Sequence, residues 1–225
     1  YRRQRQMCIR DRYNYGSFLM GDGTTKLVPT TELGFLDGNM FIISCQYDQS
    51  QVTANSTSIP VTLLSTPLCI DPKGNEGLNS QKTEPTNPLY SLDKQQSSLV
   101  YYDKNTIVLT MPYWVKVTNS SVEDSEVKKH SFVLSYDREA IKDTDTKLKL
   151  YISHVVDDAG ETVTRSNFTY AYRAYSIREA LTAFSNKTGK LPKYLELTAQ
   201  TNNSKDELKE ENGETSVEYD YAFTE

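Results

Sequence analysis

The two histidines are the residues of this sequence with the widest chemical range, because imidazole binds metals and transfers protons near neutral pH. The chain contains only His130 and His154, about one hairpin apart. This separation is not a metal-ligand spacing, and no third ligand is evident. Histidines at strand ends are usually surface or core-edge residues, and we expect that role for both.

A group of carboxylates follows the second histidine. Asp157, Asp158 and Glu161 suggest a calcium loop, but they lack the alternating oxygen pattern that a site of about seven ligands needs. The group therefore predicts a turn. The same objection applies to Asp143 and Asp145.

Motifs of enzymes and nucleotide-binding proteins are absent from the sequence. No GxSxG, Walker-type, GxGxxG or HExxH pattern occurs, and local context suggests no trio of Ser, His and Asp. The sequence therefore predicts a protein that is not an enzyme, with no catalytic residue, no cofactor and no metal.

Aromatic side chains are the remaining candidates for a binding site. The chain has 16 tyrosines and one tryptophan. Trp114, Tyr101, Tyr102 and Tyr175 could stack on sugar rings if they lie outside the core faces. The alternative is that they fill cross-strand pairs within a sheet.

The net charge of −5 hides an asymmetry, because residues 1–12 carry five arginines against one aspartate. The rest of the chain is therefore more acidic than the total suggests. An acidic body disfavours phosphate-rich partners, so we expect no binding of nucleic acid.

Residues 1–12, YRRQRQMCIRDR, have no apolar periodicity, and we predict that they are a non-native or disordered tail outside the fold. They resemble the peptide obtained when sequencing-adapter DNA is translated. The alternative is a basic arm for nucleic acid or anionic lipid. On the adapter interpretation, genuine sequence begins near Tyr13.

Short alternating stretches separated by turns predict an all-β protein of two domains. Residues 13–72 predict a small barrel, and residues 89–225 predict an antiparallel sandwich. Residues 73–88 contain almost no apolar side chain and predict a linker. Residues 176–184 predict a short strand and one helical turn.

The strongest alternation lies in residues 147–172, which predict a long β-hairpin around a turn at residues 157–160. One strand places Leu148, Leu150 and Ile152 on one face, and the other stacks Phe168 with the tyrosines that follow it.

Three cysteines provide no even disulfide framework. Cys45 and Cys69 lie in apolar strand-like runs and predict small buried side chains. A disulfide between them is the alternative.

Seven segments together resemble the NigD-like proteins of Bacteroidetes, and the resemblance covers residues 13–225. They are GDGTTKLVP (21–29), FIISCQY (41–47), VTLLSTPLCID (61–71), IVLTMPYWV (107–115), KHSFVLSYD (129–137), KLKLYISHVVDD (147–158) and VEYDYAF (217–223). This resemblance implies an OB-like N-terminal barrel, here without its first strand, and an immunoglobulin-like C-terminal β-sandwich. It supplies no catalytic residue.

The family resemblance also implies a cellular location. Its members are envelope lipoproteins with a signal peptide and a lipidated cysteine, neither of which this sequence shows. We therefore expect an outer-membrane lipoprotein, attached to lipid through an anchor outside this sequence, with a role in binding or assembly. The alternative is a glycan-binding module that uses exposed aromatics, and an envelope protein is a further candidate partner.

Overall fold

A computed structural model describes residues 2–9, 16–34, 36–72, 78–209 and 213–223, with the backbone alone for residues 2–9. The chain forms two compact units, Tyr1–Lys73 and Gly74–Glu225. Most of the described residues in regular structure lie in β-strands, so the predicted all-β class is confirmed.

The first unit contains one six-stranded sheet. Strand β1 pairs with β2 and with β4, β2 with β3, β3 with β5, and β4 with β5 and β6. The bounds are β1 Arg2–Ile9, β2 Phe18–Met20, β3 Lys26–Pro29, β4 Met40–Tyr47, β5 Ser58–Leu63 and β6 Leu68–Cys69, with a short 3-10 helix at Gln49–Gln51.

Strand β4 supplies most of the core of the first unit. Phe41, Ile43 and Cys45 alternate along it and are at most 1% exposed, as the two-residue period of a strand requires. Phe18 of β2 meets Phe41 edge to face, with ring centroids 6.1 Å apart. The apolar alternation that predicted this strand therefore also identifies its buried face.

The first residues of the chain differ from the prediction. We expected residues 1–12 to lie outside the fold, but Arg2–Ile9 form β1 and pair with β4 in eight antiparallel positions. A ladder is made by backbone N–H and C=O groups, so it does not require the apolar period whose absence led to that prediction. The adapter interpretation concerns the origin of these residues and stays a prediction.

The second unit consists of a five-stranded and a three-stranded sheet. The strand orders are β14-β13-β11-β10-β7 and β12-β9-β8. The bounds are β7 Leu78–Asn79, β8 Ser98–Asp103, β9 Thr106–Val115, β10 His130–Ser135, β11 Lys147–Val156, β12 Asn167–Ser176, β13 Tyr194–Gln200 and β14 Glu214–Asp220, with helices α1 Asp124–Val127 and α2 Arg178–Thr188.

One hydrophobic core joins the two sheets of the second unit. Leu109 and Met111 of the three-stranded sheet belong to the same buried cluster as Phe132, Leu150 and Leu197 of the five-stranded sheet. The arrangement is a sandwich, as predicted, but its larger sheet is mixed and not purely antiparallel. Strand β11 runs parallel to β13, and β10 runs parallel to β7.

The predicted hairpin at residues 147–172 is wrong. Strand β11 pairs with β10 and β13, whereas β12 pairs with β9 in the other sheet. The connection from 157 to 166 is much longer than a two-residue hairpin turn, so it can carry the chain from one sheet to the other. Alternation within each strand was read correctly, but it does not identify the partner strand.

Helix α2 is longer than the single predicted turn. It has 11 residues and buries Ala180, Leu181 and Phe184 on one face. Gly189 ends it in the left-handed conformation, with φ 74°, which glycine adopts without steric penalty. The helix connects β12 of one sheet to β13 of the other.

The predicted linker at residues 73–88 is partly incorporated into the second unit. Leu78 and Asn79 form β7, which pairs with β10. The division into residues 13–72, 73–88 and 89–225 otherwise stays a prediction. Cys45 is a buried free thiol, so it forms no disulfide with Cys69, which is half-buried. Among the described residues, no helix is long and apolar enough to cross a membrane.

Deleting residues 1–12 is expected to accelerate hydrogen exchange at the amides of β4, because one edge of that strand loses its partner. Exchange read by mass spectrometry on the intact and shortened chains measures this effect. The amides of β13, which pairs with β11 and β14, provide the internal control. Unchanged protection in β4 would show that β1 contributes nothing to the sheet.

Candidate functional site

The four aromatic residues predicted as stacking groups do not form one surface. Trp114 is 6% exposed, and its indole Nε1–H donates to the carbonyl oxygen of Asn202 at 2.8 Å. Tyr175 is buried, and its hydroxyl donates to the carbonyl oxygen of Phe132 at 2.6 Å. Both positions agree with the alternative of packing within the sheets.

The other two predicted residues lie on strand β8 and are half-buried. The hydroxyl of Tyr101 donates to the carbonyl oxygen of Asp220 at 2.9 Å, and its ring meets those of Tyr221 and Phe223 at 5.7 Å. Tyr102 is the next residue of the strand. A stacking role for these four residues stays a prediction.

A different set of aromatic side chains is in mutual contact, and Phe168 and Tyr170 of this set are exposed. We call Tyr90, Trp114, Phe168 and Tyr170 the aromatic strip. The rings of Tyr90 and Phe168 are stacked, with centroids 4.2 Å apart and planes 18° apart. The rings of Tyr90 and Trp114 meet edge to face, with centroids 5.0 Å apart, and those of Phe168 and Tyr170 do so at 6.0 Å.

The register of β12 explains why Phe168 and Tyr170 are exposed. Ala171 and Tyr175 of this strand point into the core, so Phe168 and Tyr170, which are 41% exposed, lie on the opposite face. The sequence grouped Phe168 with the residues after it correctly. It could not show that small Ala171, rather than its large neighbours, faces inward.

A polar cleft of about 590 Å³ begins at Tyr90. Hydroxyl, amide and charged side chains dominate its walls, which is the kind of lining that fixes the orientation of a polar ligand. Its lining residues are Tyr90, Ser91, Leu92, Asp93, Lys94, Thr201, Asn203, Lys209, Thr215, Ser216 and Val217.

A larger cleft of about 720 Å³ lies along α2. It contains no aromatic side chain, and charged groups such as Arg178 and Lys187 line it. Arg138, also in its wall, donates to Glu179 at 3.1 Å. The cleft at Tyr90 is the better candidate because an aromatic surface and convergent polar groups meet there.

The second unit also contains a buried ionic network around Arg165. The guanidinium of Arg165, whose side chain is 1% exposed, donates to Glu126 at 2.7 Å and to both oxygens of Asp158 at 2.7 and 2.9 Å. It also reaches Asp206 at 3.5 Å. Helix α1 and two loops therefore meet on one cation.

The network explains the charge states of its members. Burial alone would lower the pKa of Arg165, but its bonds to Asp158 and Glu126 outweigh burial and raise it. The same guanidinium lowers the pKa of Asp158. Arg165 is therefore a permanent cation, and sequence reasoning missed it because its partners are distant along the chain.

The two histidines also belong to this network. His130 and His154 are 3% and 1% exposed, and their rings are stacked with centroids 5.1 Å apart. Their buried positions differ from the surface or core-edge role expected from sequence. No group of three or more His, Cys, Asp or Glu residues suited to a metal occurs in the described part of the chain.

Replacing Arg165 with Met is expected to lower the free energy of unfolding of the second unit by about 3 kcal/mol, because three carboxylates lose their buried counter-ion. Urea unfolding followed by the emission of Trp114 measures this change. Arg138→Met is the matched control, since the Arg138–Glu179 pair is more than half exposed and exposed pairs contribute little. Equal effects of the two substitutions would contradict a structural role for the network.

The fold occurs in proteins of known structure. A protein of Bacteroides fragilis that is assigned as a lipoprotein is 28% identical, with 98% of each chain covered and a TM-score of 0.80. A protein of unknown function, DUF1344, from Bacteroides vulgatus is 8% identical over 98% of this chain and 91% of its own, with a TM-score of 0.56.

A NigD-like immunity protein from Bacteroides caccae is 11% identical, with 97% of this chain and 91% of its own covered and a TM-score of 0.53. No protein-family model matches the chain. No curated protein matches it significantly. The chain thus shares its fold with a NigD-like protein and is similar to a Bacteroides protein assigned as a lipoprotein, which confirms the resemblance to the NigD-like proteins that its sequence indicates.

Proposed function

We propose that this chain is a non-enzymatic lipoprotein of the cell envelope that acts by binding or assembly. The observation that carries the binding role is the stacked pair of exposed Phe168 and half-buried Tyr90, which also lines a polar cleft. The similarity to a Bacteroides fragilis protein assigned as a lipoprotein supports the envelope location.

The sheet supports this role by holding the aromatic strip rigidly. Trp114 is fixed by its bond to the carbonyl of Asn202, and Phe168 lies opposite it in the ladder between β9 and β12. Tyr90 is tied to the same sheet, because its amide donates to the carbonyl of Pro112 at 3.0 Å. A preorganised surface loses less side-chain entropy when it binds.

The proposed location is the outer membrane, with attachment through a lipidated cysteine encoded upstream of this sequence. Glycan and envelope proteins are the proposed partners. Nucleic acid is not expected, because the body of the chain is acidic.

Expression of the complete natural gene in its host tests the location. We expect metabolic incorporation of labelled palmitate and recovery of the protein in the outer-membrane fraction. Substitution of the cysteine that follows the signal peptide should abolish both results. An unlabelled protein that fractionates with the cytosol would contradict the proposal.

A glycan is the second, more specific candidate, and the stacked pair at the cleft favours it. Aromatic faces pack against the C–H faces of sugar rings, while hydroxyl, amide and carboxylate groups bond to sugar hydroxyls. The cleft offers such groups within reach of Tyr90, among them Asp93, Asn203 and Ser216. The ligand class would then be a polysaccharide with an exposed ring face.

We expect a polysaccharide that binds here to change the emission of Trp114, which lies 5.0 Å from the ring of Tyr90. Phe168→Ala should weaken that binding at least tenfold, since one stacked ring is removed. Fluorescence titration across a panel of bacterial and host polysaccharides measures both effects.

Phe223→Ala is the matched control, because Phe223 is 40% exposed but packs against Tyr101 in another aromatic cluster. Equal loss in both variants would show that the site is not at the aromatic strip. Binding lost only in Phe223→Ala would instead favour the surface around Tyr101.

A further inference from the structure

The stacked histidines form a continuous hydrogen-bonded chain inside the second unit. His154 Nδ1 lies 3.0 Å from the carbonyl oxygen of Pro88, and His154 Nε2 lies 2.8 Å from His130 Nδ1. His130 Nε2 lies 3.2 Å from the carboxylate oxygen of Glu126. These three contacts thus join the segment before β8, strands β11 and β10, and helix α1.

The number of protons in these three contacts follows from which atoms can donate. A carbonyl oxygen only accepts, so His154 must carry its proton on Nδ1 and offer a lone pair at Nε2. His130 must then donate from Nδ1. A neutral His130 would have no second proton, and its Nε2 lone pair would face the oxygen of Glu126. Three contacts require three N–H protons, whereas two neutral imidazoles carry two.

The third proton does not belong on the carboxylate. The same oxygen of Glu126 already accepts from the backbone amide of Lys116 at 3.0 Å and from Arg165 at 2.7 Å. Burial raises the pKa of Glu126, but these hydrogen bonds outweigh burial and hold it below its usual value. The carboxylate is therefore ionised, and the proton lies on His130.

The charges of the hydrogen-bonded network favour a cation at this position. Glu126, Asp158 and Asp206 carry three negative charges, while Arg165 and Lys129, which donates to Asp158 at 3.3 Å, carry two positive charges. One more positive charge makes the network neutral. Removing a charge from water is costly unless the surroundings compensate it, so a neutral cluster is the favourable state.

Aromatic rings and one further cation also lie near the histidines. Tyr113 lies 4.8 Å from His130, and Phe132 stacks on His154 at 4.9 Å. The guanidinium of Arg173 lies over the ring of Phe132, 5.2 Å from its centroid. Burial lowers the pKa of both histidines, that of His154 to about 3, and Glu126 opposes this effect at His130. His154 is accordingly the neutral member of the pair.

We propose that His130 and His154 together hold one proton more than two neutral rings carry, with Glu126 as its counter-ion, and that this proton is a pH-sensitive lock. While it is present, helix α1 and the segment at Pro88 are fastened to the ends of β10 and β11. As the pH rises and the proton leaves to solvent, the contact between His130 and Glu126 becomes repulsive, and α1 is then held through Glu126 only by Arg165 and the amide of Lys116.

The proposal fixes the direction in which the stability of the fold changes with pH. In the unfolded chain a histidine has its ordinary pKa of about 6.5. Burial lowers the pKa of His130, but the proposed state needs its second proton for the bond to Glu126, and this places the folded pKa above that value. The stabilisation is then fully present below about pH 6.5 and disappears as the pH rises through the folded pKa. Two neutral histidines would give the opposite dependence, with stability lost as the pH falls below about 6.5.

Nitrogen-15 NMR of the imidazoles in the full chain tests the proposal directly, because the chain has only two histidines. At pH 7 we expect both nitrogens of one ring and a single nitrogen of the other to be protonated. Two neutral rings at pH 7, with protonation only in acid, would overturn the proposal.

Glu126→Gln tests the counter-ion, and Glu207→Gln is the control in an exposed carboxylate that pairs with Lys205. We expect the midpoint of the His130 titration to fall by at least one pH unit in Glu126→Gln, a tenfold loss of proton affinity, and to be unchanged in Glu207→Gln. An unchanged midpoint in a folded Glu126→Gln would also overturn the proposal. If that variant does not fold, the spectrum of the unsubstituted chain still decides.

Discussion

The contact of buried Arg165 with three carboxylates is the constraint on which helix α1 and the loops around it depend. The guanidinium is 1% exposed, and its partners come from helix α1, from the connection after β11 and from the loop after β13. A buried cation whose donors are directed at fixed carboxylates gives them one arrangement, because any other leaves a charge unpaired.

The aromatic strip and the ionic network are linked through short stretches of chain. Phe168 follows Arg165 by three residues, and Tyr90 follows Pro88, whose carbonyl accepts from His154. The carbonyl that fixes Trp114 belongs to Asn202, in the loop that Asp206 anchors to Arg165. The position of these rings therefore depends on charged groups that lie beneath the surface.

The sequence predicted the strands far better than their partners. Alternation identified the buried face of β4 through Phe41, Ile43 and Cys45, because that pattern depends only on local geometry. It could not show that β12 leaves β11 for β9, since strand pairing is decided by contacts that are remote in sequence. The helical turn near residue 180 was visible, but the length of α2 follows from packing of Phe184.

Much less of the candidate site could be predicted. Trp114 and Tyr175 were chosen because they are large and aromatic, whereas exposure depends on which neighbours cover them, and both are covered. Tyr90 does not lie in an alternating stretch, so the sequence gave no indication that it belongs to the candidate site. The histidines were judged by their spacing as metal ligands, and that test cannot detect two rings that bond to each other across adjacent antiparallel strands.

The parallel pairing of β11 with β13 has a consequence for how the second unit forms. Residues 157–193, which contain β12 and α2, separate these two neighbours in the centre of the larger sheet. Contacts between such distant segments require the entropy of closing a long loop before they gain any stability, and proteins rich in them fold slowly. The central ladder is therefore expected to close late, after the local pairing of β8 with β9 and of β10 with β11. Until then, the edges of β11 and β13 expose unpaired backbone groups, which makes nascent chains of this fold dependent on protection from intermolecular pairing.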